Sequence, residues 1–295
     1  MAMNAVGWLD RLAVWPQFLL PQHGLTAIVH AVSRSRWRPW KQILIDGFCR
    51  HYAVDMTEAV QADPGAYASF NEFFTRALRP DVRPWPDNDT VLACPVDGAL
   101  SQIGRIEDEC LLQAKGRHYT LIELLGGDTE LAECFRHGNF ATLYLSPRDY
   151  HRIHMPVDGT LERMIHVPGE LFAVNPRSTR VVPDLFARNE RLINIFLTAH
   201  GPMALIMVGA LFVGSMDTVW AGAVTPSRRR AVTTWNYHGS EAIHLRRGEE
   251  MGRFNMGSTV ILLLPKDVVT WRPGLIPDSP LRLGQALGNL SITPT

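Results

Sequence analysis

The chain has 295 residues, 46% of them hydrophobic and 20% charged, a profile that buries a substantial core and excludes a disordered protein. Its 29 Lys+Arg balance 29 Asp+Glu, so no global field draws it to nucleic acid, and no nucleic-acid partner is expected. Cys49, Cys94, Cys110 and Cys134 form no CxxC pair, which argues against a zinc ribbon or redox motif and suits a reducing compartment.

The start, MAMNAVGWLDRLAVWPQFLLP, is interrupted by Asp10, Arg11, Pro16 and Pro21 and lacks the basic start, unbroken apolar stretch and cleavage site of a signal peptide. Residues 1–60 carry Trp8, Trp15, Trp37 and Trp40, half of the eight tryptophans. Apolar residues recur at helical spacing in Leu25, Ile28, Val29 and Val32, and again in Trp40, Ile43, Leu44 and Phe48. Over residues 1–52, Arg11, Arg34, Arg36, Arg38, Lys41 and Arg50 face only Asp10 and Asp46. Tryptophan beside arginine suits an amphipathic helix in a bilayer interface, with rings at head-group depth and cations toward anionic lipid. The plainer alternative is a helical cap on the core with a solvated basic edge.

Further along, the segment SFNEFFTRAL over 69–78 reads as a short helix with Ser69 as its N-cap, followed by the Pro-rich connector 79–86. From Val91 the pattern becomes short strands, 141–145, 192–197, 204–208 and 260–264, between the turn pairs Asp97-Gly98, Gly126-Gly127, Asp158-Gly159 and Pro168-Gly169. The Asp-Gly pairs are expected to reverse the chain through a positive φ. A PVDG-x-L echo at 95–100 and 156–161 reads as the same strand-starting turn used twice. No window reaches the roughly 18 apolar residues a spanning helix needs, and Pro202 to Val213 reads as core strand. The fold class is therefore α+β: a mainly β catalytic core over 61–295, preceded by N-terminal amphipathic helices in a membrane-docking segment over 1–60.

The densest reactive stretch is LSPRDYHRIHMP, with His151 and His154 three apart. Two imidazoles without further ligands do not make a metal site, and none is expected; acid–base chemistry near neutral pH is the better use. Ser258 follows Gly257, so its Oγ can fold back onto the Gly257 carbonyl unobstructed. A histidine of the 151–154 pair and an acid, Asp97 or Asp158, would complete a Ser-His-Asp set, and spacing alone does not choose between them. Hydrolysis of an external ester is disfavoured because no G-x-S-x-G elbow occurs, and no GxGxxG or P-loop implies a nucleotide. A membrane-binding protein in which Gly-Ser-Thr is only a turn stays open.

The blocks FNEFFTRALRPDVRP, PVDGALSQIG, YLSPRDYHRIHMP, VPGELFAVN and EEMGRFNMGSTV together resemble the pyruvoyl-dependent bacterial phosphatidylserine decarboxylases, over most of the chain. The resemblance implies that Ser258, assisted by His154 and Asp97 as a processing triad, attacks Gly257 and, by β-elimination, leaves a β subunit of residues 1–257 and an α subunit of residues 258–295. The α subunit would begin with a pyruvoyl group, the covalent cofactor made from Ser258. That ketone would form a Schiff base with phosphatidylserine and release CO2 and phosphatidylethanolamine, with His151 as proton donor and substrate contact. The resemblance further implies a peripheral enzyme on the cytoplasmic face of the inner membrane, docked on an anionic bilayer surface, with a homodimer of the two-chain units left open. The Arg228-Arg229-Arg230 run would add lipid attraction or simply be a solvated loop. One departure from the pattern is Met256 where the family has leucine, a volume-conserving change.

Overall fold

The computed structural model describes residues 7–114, 116–212, 215–227 and 229–291. Residues 1–6 of the N-terminal segment, Val213 at the end of the apolar run, Arg228 of the arginine run and residues 292–295 lie outside the described residues.

Three helices lead the chain: α1 (Trp8–Val14), α2 (Gln22–Ser33) and α3 (Arg38–Tyr52). The short α4 (Phe70–Phe74) follows, capped as expected by Ser69, whose Oγ accepts the Glu72 N–H at 3.2 Å. Apolar periodicity predicts helices here correctly, but not which face turns inward. In α2 the buried residues are Gln22, Thr26 and Ser33, while Ile28 is 61% exposed. The inward side is held by polar bonds: Gln22 Oε1 accepts the Leu171 N–H at 2.6 Å, and Gln17 Oε1 accepts the Ala173 N–H at 2.9 Å. Trp8, Leu9, Leu12, Trp15, Leu19 and Trp37 are exposed with it, so the segment turns much of its apolar surface outward up to α3, which instead seats Leu44, Ile45 and Phe48 against α4.

The remainder is mainly β. Among the described residues the largest sheet has nine antiparallel strands, eight of them in the order 233–236, 159–167, 191–198, 201–208, 258–264, 139–145, 98–105 and 280–281. The strand Ser258–Leu264 lies in its middle with all seven residues buried, as a run of STVILLL between two hydrophobic neighbours requires. The four strands expected from sequence all form, each within a somewhat longer element. A second sheet has four strands in the order 222–223, 216–218, 250–254 and 152–154.

Both PVDG turns start strands, at Gly98 and Gly159, but neither glycine has a positive φ. Gly98 is required by close approach instead: a Cβ there would lie 2.2 Å from the Tyr144 carbonyl oxygen.

Candidate active site

The chain crosses between the nine-stranded and four-stranded sheets at two adjacent places. One crossing runs from Leu145 to Arg152, the other from Phe254 to Ser258. The flanking strands pair antiparallel, with Ser258 opposite Leu145 and Arg253 opposite Arg152, and the Phe254 N–H donates to the His151 carbonyl at 2.9 Å. This register lays Asn255-Met256-Gly257 against the 146–151 turn. Asn255 fixes the crossing further: its Nδ2 donates to Asp217 Oδ1, and its Oδ1 accepts from Asn71 Nδ2, each at 2.9 Å.

The consequence falls on His151, which is wholly buried. Its Nδ1 donates to the Asp149 carbonyl at 2.8 Å, which fixes the tautomer and leaves a lone pair on Nε2. That Nε2 lies 4.0 Å from where a Cβ on Gly257 would sit and has no hydrogen-bond partner among the described residues. Ser258 Oγ, also fully buried, has none either. Burial pushes the His151 imidazole down to about 3; the nearby Arg76 charge adds to the shift and the Asp149 carbonyl opposes it. It is therefore neutral at pH 7. The Phe74 ring packs against it, with centroids 4.2 Å apart.

His154 is differently engaged. Its Nδ1 donates to the Gly248 carbonyl at 2.8 Å, so Nε2 accepts from the Tyr150 hydroxyl at 2.9 Å. Burial lowers this imidazole as well. Asp97 accepts from Arg83 Nε at 2.9 Å and from the Leu283 N–H at 2.8 Å, and its charge reaches His154 through space. Asp158 closes a turn by accepting the Arg247 N–H at 2.7 Å. The structure thus brings Gly257, Ser258 and His151 together, whereas His154 and Asp97 form no hydrogen bond with Ser258 or with each other among the described residues.

Sequence reasoning missed Tyr150, although it stands in the same block four residues before His154, and it missed Arg83, whose signal was only a basic residue in a Pro-rich connector. It also missed Phe74 as a wall of the site. A cavity of about 200 Å³ opens over Gly257 between Phe48 and Tyr52 of α3, Phe74 of α4, Tyr144 and Met256, with no charged side chain in its described lining. Met256 thus performs the packing expected of an aliphatic residue before the Gly-Ser bond. A hydroxyl beside its own preceding carbonyl, a neutral imidazole with a free lone pair, and an apolar chamber can support acyl shift within the chain. They also suit chemistry in which a charge is lost.

A family model described as phosphatidylserine decarboxylase matches residues 70–289, and another described as PSD matches residues 12–53. The phosphatidylserine decarboxylase proenzyme of Acidovorax ebreus is 53% identical over 280 residues, covering 95% of this chain and 98% of its own. That of Azoarcus sp. is 53% identical over 286 residues, covering 97% and 98%. That of Methylococcus capsulatus is 53% identical over 274 residues, covering 92% and 94%.

Proposed function

The chain belongs to the phosphatidylserine decarboxylase family and is a decarboxylase, and from that membership we propose that it converts phosphatidylserine to phosphatidylethanolamine and CO2 after cutting itself between Gly257 and Ser258. The observation that carries the reading is the pair of buried, unpartnered atoms at the sheet crossing, Ser258 Oγ and His151 Nε2. Buried polar atoms normally find partners, and those left without one are candidates for reaction. The relatives' designation as proenzymes supports the cut.

The residues present suit a pyruvoyl group derived from Ser258, since the cavity over Gly257 gives it room and His151 Nε2, 4.0 Å from where a Gly257 Cβ would sit, carries no competing bond among the described residues. Such a group would supply an electrophilic ketone that takes the substrate amine and accepts the electrons released with CO2. His151 is suited to the proton traffic at the substrate carbon: its Nε2 has no competing bond among the described residues, and a negative charge developing on the substrate beside it would offset the burial that depresses the imidazole and let it carry the proton delivered once CO2 has left. The apolar walls favour a carboxylate that becomes neutral as it departs.

We assign the cleavage step to His154 and Asp97, with Ser258 as nucleophile. His154 must then exchange its bond to Tyr150 for one to Ser258 Oγ. A second reading, in which His151 serves both steps, is favoured by its free Nε2 beside Gly257. Intact-mass analysis tests the core proposal: purified protein should consist of residues 1–257 and 258–295, the second with a blocked start, and Ser258→Ala should remain one chain. Active enzyme consisting only of full-length chain would overturn it.

We further propose peripheral docking on the cytoplasmic face of the cell membrane through the 1–60 segment, of which Phe48 and Tyr52 also wall the cavity of the catalytic domain 61–295. The inverted amphipathy of α2 and the exposed tryptophans of the segment support it. Among the described residues, no helix is long and apolar enough to cross a membrane.

A further inference from the structure

Arg76 lies two residues beyond α4 and is 4% exposed. Its Nη2 donates to the Arg148 carbonyl at 3.1 Å, but its Nε and Nη1 have no partner among the described residues. Neighbouring arginines are neutralised, Arg83 by Asp97 and Glu58 and Arg152 by Glu250. No carboxylate forms an ion pair with Arg76 among the described residues. The Phe73 ring lies 5.6 Å from its guanidinium carbon, which engages the face of the group and leaves its N–H edge unspent. Asp97 and Asp149 act on Arg76 only through space, and a buried guanidinium that keeps its charge with no carboxylate in contact calls for an anion.

The place of Arg76 in the fold says which anion. Arg76 lines a cavity of about 350 Å³ that adjoins the chamber over Gly257: the chain passes from one lining to the other at Tyr52-Ala53, at Phe74 to Arg76, and at Pro147-Arg148. The acids facing this cavity include Asp97, which is bonded to Arg83 and the Leu283 N–H, and Asp149, whose Oδ2 accepts the Ser146 N–H. Asp55 is likewise occupied by Thr57, and Glu58 by Arg83 and Arg282.

We propose that Arg76 binds the phosphodiester of the substrate head group, the 350 Å³ cavity being the phosphate end of the substrate site. This deepens the decarboxylase reading and rests on it. A guanidinium on the leaving carboxylate would stabilise a charge that must disappear and so raise the barrier. The phosphodiester keeps its charge from start to finish, so a cation there holds ground and transition states equally and acts on substrate binding. The planar fork of donors matches two phosphate oxygens.

The test compares Arg76→Gln and Arg76→Lys with the wild type on a short-chain phosphatidylserine and on an O-alkyl serine without phosphate. Self-cleavage is scored by mass. Binding is measured separately by calorimetry in the Ser258→Ala chain. Expected for Arg76→Gln is a KM for phosphatidylserine raised roughly 10- to 100-fold with kcat nearly kept, and a matching loss in calorimetric affinity. The phosphatidylserine to O-alkyl serine ratio of kcat/KM should fall with it, and Arg76→Lys should recover part. Equal losses on both substrates, a loss confined to kcat, or uncut chains for both variants would make Arg76 structural and overturn the assignment. A wild type that turns over neither substrate would sink the decarboxylase reading instead, and this inference with it.

Discussion

Replacing His151 by alanine separates the two imidazoles most directly. The ring is wholly buried, makes one hydrogen bond through Nδ1, and packs on Phe74, so its removal costs about 1 kcal/mol for the bond plus a similar amount for the void, lowering Tm by roughly 3 °C. A folded, testable protein is therefore expected. The chemical loss is larger. A positioned acid–base group contributes about 10²- to 10⁴-fold, or roughly 3–5 kcal/mol of barrier, and His151 Nε2 is the unpartnered imidazole nitrogen beside Gly257 among the described residues. His151→Ala should thus still separate into two chains by intact mass while CO2 release from phosphatidylserine falls by that factor. An uncut His151→Ala precursor would refute the division of labour and give cleavage to the free Nε2 beside Gly257.

The complementary variants His154→Ala and Asp97→Ala should stay as single chains on denaturing gels, and Asp97→Asn should also lower Tm because Arg83 loses its buried partner. Burial depresses both imidazoles below 6.5, so the unfolded chain takes up protons that the folded one refuses; stability is complete above about pH 6.5 and is lost as pH falls toward 3, by about 1.4 kcal/mol per unit for His151. Urea midpoints at pH 7.5 and pH 5 check the sign. Gly98→Ala puts a Cβ 2.2 Å from the Tyr144 oxygen and should destabilise by about 1–3 kcal/mol in thermal melts, with Gly47→Ala as a control where no neighbour crowds the Cβ and φ is not positive. Ile28→Lys should abolish co-sedimentation with anionic vesicles yet leave self-cleavage intact, since Ile28 lies on the outward face of α2.

Much of this protein is written in local patterns. The run VILLL reads as a buried strand, Ser69 as a helix cap, and the Gly257-Ser258 pair with the two histidines of the 151–154 block already contained the reactive candidates. The α+β class followed from where helical spacing gives way to short strands. What local pattern could not supply was direction and register. The same apolar periodicity serves a helix facing a core or facing a membrane, and only the docking of Gln17 and Gln22 onto the backbone at 171–173 turns α2's apolar side outward. The Asp-Gly turns looked like positive-φ reversals, but the constraint on Gly98 comes from a strand more than forty residues away. His151 and His154 are indistinguishable as letters three apart. Antiparallel pairing across two sheet crossings puts one beside the Gly257-Ser258 bond with a free lone pair and ties the other to Tyr150, because contact across strands depends on register, which no single segment encodes.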